Sequence, residues 1–135
     1  MSLPVELDAL NDNPLYRALG IRITAREDGT ARSELRAPEY ACWPEAGQPH
    51  GGVLFTQLDT TCATAVLSGP HLMGTCSTIG LDVHYLAPAT GPVLRCTAQV
   101  ERRGLRVCFV RASTMDEHGE VVALAQGSFR VFAGS

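Results

Sequence analysis

Between Glu45 and Asp82 the only formally charged side chain is Asp59, inside the run His50-Gly51-Gly52-Val53-Leu54-Phe55-Thr56-Gln57-Leu58-Asp59-Thr60-Thr61-Cys62-Ala63-Thr64-Ala65-Val66-Leu67. An ionised carboxylate moved from water into apolar surroundings loses several kcal/mol of hydration unless a partner compensates it. Asp59 therefore implies an arginine or a loop to cap, or a chemical task as general base or nucleophile. Eight positions earlier, Gly51 and Gly52 fit the first turn of a helix, whose amides are unpaired and whose missing side chains let a ligand approach. Such a turn can hold an anion or polarise a carbonyl whose oxygen becomes negative, and it can also serve only as a tight helix entry.

If the two groups act on one carbonyl, the spacing constrains how. Eight helical residues span about 12 Å at ~1.5 Å each, too far for one helix to supply both. Gly51 of one subunit would then work with Asp59 of another, and a two-fold dimer would carry two equivalent sites. His50 can act as a base, a donor to the carbonyl or a brace for the loop. Ser77 and Thr78 could bond a substrate or water near Asp59, or be ordinary strand residues. Arg102, Arg103 and Arg106 flank a turn that suits a phosphate or plain solvation. Cys62, one turn beyond Leu58 on an apolar stripe, reads as core.

The elements that must position these groups follow from periodicity. Residues 7–20 read as a short helix broken near Asn13-Pro14 and stopped at Gly20. Ile21, Ile23 and Ala25 alternate with Arg22, Thr24 and Arg26, and Ala31, Ser33 and Leu35 alternate with Arg32, Glu34 and Arg36, which predicts a hairpin with one wet face. Pro38, Pro44, Gly47 and Pro49 mark a loop. From Gly51 to Leu67, Val53/Leu54, Leu58, Cys62 and Ala65/Val66 recur at helical spacing, over a length that exceeds a typical strand. After Gly69-Pro70 the period becomes two. Ser77, Ile79, Leu81, Val83 and Tyr85 share one face, with Thr78, Asp82 and His84 on the other. Pro88, Gly91 and Pro92 form the next turn, and consecutive antiparallel strands follow to Phe132. A nearly uncharged helix must be covered on most of its circumference, and a curved antiparallel sheet wrapped around it is the simplest cover available.

Length and composition bound the function. One domain over residues 1–135 suits the chain length. A net charge of −3 argues against an extended nucleic-acid surface. The five cysteines contain no close C-x-x-C pair, and the four histidines do not fall at zinc-ligand spacing beside them, so free buried thiols and no metal are expected. No apolar run reaches the ~20 residues of a membrane span and no leader pattern opens the chain, which places it in a reducing cytoplasm without a membrane partner.

The run His50-Gly51-Gly52, Asp59 nine positions after the histidine, and Tyr85-Leu86-Ala87-Pro88 closing a later strand resemble the hotdog-fold acyl-CoA thioesterases. They are most similar to the phenylacetic-acid-degradation type, related to 4-hydroxybenzoyl-CoA thioesterase. The resemblance spans Pro14 to Phe132. It implies an α+β hotdog fold, a long central helix wrapped by a five- or six-stranded antiparallel sheet, in homodimers often paired into homotetramers. The implied reaction is hydrolysis of an acyl- or aryl-CoA thioester, with CoA as part of the substrate and no separate cofactor. Residue by residue, the resemblance maps Gly51 to the amide that polarises the thioester carbonyl and Asp59 of the partner subunit to the base or nucleophile. His50 and Gly52 fall beside them, Ser77 or Thr78 at a hydroxyl contacting water or substrate, and Arg102-Arg103 at a turn that meets the CoA nucleotide. The chain departs from the pattern about six residues before the histidine, where relatives carry Asn or Gln and this chain has Pro44; Gln48 or Glu45 is the nearest substitute. A hotdog hydratase using His50 and Asp59, and a non-catalytic acyl-CoA binding module, are the competing readings.

Overall fold

A computed structural model describes residues 4–134. Two short helices, α1 (Pro4–Asn11) and α2 (Pro14–Leu19), open it. Asn13 separates them because its side chain caps α2, accepting from the amides of Leu15 and Tyr16, and Gly20 ends α2 in the left-handed region at φ 80°, where a β-carbon would be strained. The Asn11 amide bonds both backbone groups of Ile23. That bond pair docks α1 on the outermost strand and blunts an exposed sheet edge.

The hairpin β1 (Ile21–Glu27) and β2 (Thr30–Leu35) forms as the alternation predicts, with one correction. Its register shifts between Ile23 and Ala25, and a bulge reverses which side chains face inward beyond it. Arg26, expected on the wet face, is buried and carries its guanidinium to Glu6 and to the carbonyl of Leu67.

The long helix α3 (Gly51–Val66) is followed by β3 (Thr75–Tyr85), β4 (Leu94–Arg103), β5 (Val107–Met115) and β6 (Val121–Phe132). All pairings are antiparallel, in the order β1-β2-β4-β5-β6-β3. The segment with Pro88, Gly91 and Pro92 is therefore not a hairpin turn. It carries the chain from β3 at one edge to β4 beside β2, burying Ala89 and Val93 on the way.

A second correction falls in β3, where a bulge between Thr78 and Gly80 splits the expected face. Cys76 and Thr78 pair with the buried Val131 and Phe129, and Val83 and Tyr85 with the buried Ala125 and Ala123, so all four face α3. Ser77 pairs with Arg130 on the opposite face, and Ile79 is left at the bulge, 59% exposed.

Leu58, Cys62, Ala65 and Val66 of α3 pack into a core with Cys96, Ala98, Cys108, Val110, Ala125 and Phe129 of the sheet. The helix tolerates its buried threonines because their hydroxyls bond carbonyls one turn back, Thr61 to Gln57 and Thr64 to Thr60. Buried Gln57 ties α3 to the sheet by donating to Ser33 Oγ and the Leu94 carbonyl. At the far end of α3, Arg103 and Arg26 donate to the carbonyls of Val66 and Leu67, satisfying groups that a helix C-terminus leaves unpaired. No described helix is long and apolar enough to cross a membrane.

Candidate functional site

His50 begins the site as the N-cap of α3, its Nδ1 accepting the Gly52 amide at 2.9 Å. The ring proton therefore sits on Nε2. The other face of His50 stacks on Trp43, with ring centroids 4.7 Å apart and 29° between planes. Backbone bonds from His50 to Ala41 and from Trp43 to Gln48, with a bridge between Cys42 and Pro49, fold residues 41–50 into a small lobe that presents this pair.

With Gly52 occupied, the amide of Gly51 at the first helical position has no acceptor among the described residues. Tyr85, at the end of β3, donates its hydroxyl to the Gly51 carbonyl at 2.8 Å. An unpaired amide at a helix N-terminus is a donor ready for an oxyanion.

Two turns along, Asp59 is half-buried and accepts from the Thr78 hydroxyl at 2.7 Å. No arginine, lysine or histidine pairs with it among the described residues, and its Oδ2 has no hydrogen-bond partner there. The charge in the apolar helix is thus met by one neutral hydroxyl. The loop cap and the arginine partner considered for Asp59 are both absent among these residues, which leaves a carboxylate with a free oxygen able to take a proton or attack carbon.

The neighbouring thiols do not compete for that role. Burial, with Cys96 and Asp59 nearby, pushes the Cys62 thiol up, and burial together with Asp59 pushes Cys76 up to about 11. Both are neutral thiols near pH 7, and a neutral thiol is a poor nucleophile.

Gly51, Gly52, Phe55, Thr56, Asp59 and Ala63 form the one incompletely covered stripe of α3. It borders β3, an edge strand whose inward residues Leu81 and Val83 are only half-buried. Trp43, stacked on His50, also lines a groove of about 860 Å³ with Tyr40, Cys42, Pro44, Gly47, Ala37 and Glu39; His50, Gly51 and Asp59 are not among its lining residues. A hollow of about 650 Å³ on the outer face of the sheet, lined by Gly80, Asp82, Phe109, Arg111 and Gln126 among others, touches neither Gly51, His50 and Asp59 nor their partners Tyr85, Trp43 and Thr78.

The structure thus brings His50, Gly51 and Gly52 together at one end of α3, and Asp59 and Thr78 at its middle. Ser77 is turned away on the other sheet face, while the Gln48 carbonyl accepts the Trp43 amide and Pro44 and Glu45 are exposed. Arg103 is engaged with Val66 and Asp28, whereas the side chains of Arg102 and Arg106, both exposed residues, have no hydrogen-bond or ion-pair partner among the described residues. Tyr85 and Trp43 are functional candidates that the sequence patterns alone do not single out. The signals were available: a tyrosine ending the strand before Pro88, and the chain's one tryptophan seven residues ahead of His50.

Comparison with known proteins gives the same arrangement a family. The family model described as the thioesterase superfamily matches residues 47–123. A protein of Halobacterium salinarum named as an esterase is 34% identical, covering 91% of this chain and 87% of its own length. The crystal structure of a phenylacetic acid degradation-related protein of Ralstonia eutropha superposes with a TM-score of 0.77 at 30% identity, covering 96% of this chain and 92% of that one. The PaaI protein from the phenylacetic acid degradation operon of Escherichia coli shares the fold, at a TM-score of 0.83 and 22% identity over 95% of this chain and 91% of its own. The helix wrapped in six antiparallel strands is the hotdog fold.

Proposed function

Because the chain belongs to the thioesterase superfamily, hydrolases of the thioester bond, we propose that it hydrolyses acyl- or aryl-CoA thioesters at a site shared between two subunits. The observation that carries this reading is the pair of unsatisfied groups on the open stripe of α3, the Gly51 amide and the Asp59 carboxylate. The amide stabilises the oxygen as it becomes negative, and a donor so placed is worth about 10²–10³ in rate. Asp59 of the partner takes a proton from water as its oxygen bonds to the carbonyl carbon; the C–S bond then breaks and the thiolate leaves to be protonated. Alternatively the carboxylate attacks directly and water cleaves the resulting anhydride. In single-turnover hydrolysis in heavy-oxygen water, label appearing first in Asp59 marks the anhydride route.

The proposed dimer is supported by what the single chain leaves open. β3 is an eleven-residue edge strand with unpaired backbone groups, a template for pairing with another strand. Pairing β3 with its symmetry copy lays two α3 helices side by side and antiparallel. Gly51 meets Asp59 of the partner if the helices cross at their midpoint, and that midpoint is Phe55, 38% exposed on the same stripe. In that arrangement the partner's Val66, with the arginine turn beside it, lies about 10 Å beyond the Gly51 amide at ~1.5 Å per residue. Arg102 and Arg106 are then the cations free to meet the CoA phosphates, while Arg103 holds the helix end. Pairing of dimers into tetramers through the outer sheet faces, and a cytoplasmic location, complete the reading. Neither metal nor redox cofactor enters it.

The acyl group is read into the groove lined by Trp43, the stacking partner of His50, where Trp43 and Tyr40 offer aromatic surface. A panel of aryl, short, medium and long acyl-CoA thioesters tests the whole reading: turnover of at least one supports it, and binding without turnover of any would make the chain a binding module. The hydratase alternative needs an imidazole free to move protons, and His50 Nδ1 is already engaged by Gly52; hydration of an enoyl-CoA in a parallel assay would reinstate it.

A further inference from the structure

Two adjacent glycines give the mouth of α3 room for a ligand, and they also give it the greatest backbone freedom a chain can have. An oxyanion donor needs the opposite. It must point in one direction to meet the developing charge at roughly 2.7–3.1 Å.

The conflict is resolved at one peptide unit. The peptide joining Gly51 to Gly52 is held at both ends by side chains: its carbonyl accepts from Tyr85 Oη at 2.8 Å and its N–H donates to His50 Nδ1 at 2.9 Å. The peptide before it is held by its carbonyl, since His50 O accepts from the amide of Val53 at 2.9 Å. The Tyr85 ring also covers Gly51, lying 3.5–3.6 Å from the place a β-carbon would occupy. With every other group of these two peptides engaged, the Gly51 N–H is the one left over. His50 belongs to the same helix, so it moves when the helix end frays. Tyr85 comes from β3 and ties that end to the sheet.

We infer that Tyr85 is a positioning residue for the reaction: its hydroxyl, with His50, clamps the Gly51–Gly52 peptide and so aims the free Gly51 N–H at the substrate carbonyl. The inference rests on the thioesterase reading of that amide. Tyr85 touches no reacting atom. β3 thereby sets both halves of the chemistry, since seven residues earlier its Thr78 holds Asp59.

Tyr85→Phe keeps the ring and removes the one hydrogen bond, which makes it the test. Amide exchange and steady-state kinetics are compared with the wild-type chain. The expected result is Gly52 exchange faster by about tenfold, with β4 and β5 amides unchanged, and kcat lower by about tenfold with KM within about twofold, the pattern of a lost transition-state interaction. A purely structural tyrosine would instead speed exchange across the sheet or move KM and kcat together, and that would overturn the inference, as would wild-type exchange at Gly52 or wild-type kcat. A wild-type chain that turns over no thioester sinks the thioesterase reading and the inference together. A working wild type with an equally fast Tyr85→Phe chain sinks the inference alone.

Discussion

At the scale of single residues, the proposed chemistry rests on an amide and a carboxylate that their own chain leaves short of partners. Gly51 at the first helical position makes a clean substitution possible. Proline is favoured there because it needs no N–H, and the residue before a proline prefers an extended backbone, which His50 already has at φ −56° and ψ 142°. Gly51→Pro therefore removes the donor while sparing the helix: kcat should fall by about 10²–10³, with the melting temperature little changed. A loss of the same size in stability would show the proline had broken the helix instead. Asp59 and His50-Gly51-Gly52 were legible in the sequence, because an isolated charge and paired glycines are local signals. Tyr85 and Trp43 stand out only as a strand-ending tyrosine and a lone tryptophan, and their partners were not legible, since each acts through a residue distant in sequence or on a loop whose path no periodicity encodes.

Among the secondary-structure elements, α3 is fixed at both ends by side chains from the sheet, and its C-terminal anchors were hidden from a reading by alternation. One bulge turned Arg26 inward, and Arg103 sits past another, where the register shifts between Val100 and Arg102. A bulge adds one residue without changing composition, so alternation reads correctly up to it and wrongly after it. The same fault put Ser77 on the face that Leu81 occupies and left Thr78 to meet Asp59. The helix, the hairpin and each strand were legible by period. The placement of β3 at the edge beyond β6 was not, because pairing across the sheet depends on long-range closure. Arg103→Ala strips a hydrogen bond from the Val66 carbonyl and should destabilise the fold by about 1–2 kcal/mol. Chemical denaturation checks it, and a turn arginine acting only on substrate would leave the midpoint unmoved.

For the whole molecule, the interior and the open stripe make separate predictions. Burial pushes the thiols of Cys76 and Cys96 up to about 11, against 9.0 for an ordinary thiol. Between those values the folded chain holds protons that the unfolded chain has released, so the slope of stability with pH is negative. Their contribution is complete below pH 9.0 and is lost as pH rises towards about 11. Melting temperature should fall across that window, and a chain carrying Cys76→Ala and Cys96→Ala should fall less. On the open stripe, Phe55→Asp places a charge where two α3 helices are read to cross. Sedimentation should show the dimer lost, and activity lost with it; an active monomer would refute the shared site.

The proposed sharing of the site between subunits is open to one decisive measurement. Chains carrying Gly51→Pro are mixed, through reversible unfolding, with an equal amount of chains carrying Asp59→Ala. Each variant alone has no complete site. If every site takes its amide from one subunit and its carboxylate from the other, half of the dimers are mixed and each mixed dimer has one intact site, so activity should return to about a quarter of wild type. Activity that stays at the level of the separate variants, in a sample shown to contain mixed dimers, would contradict the account.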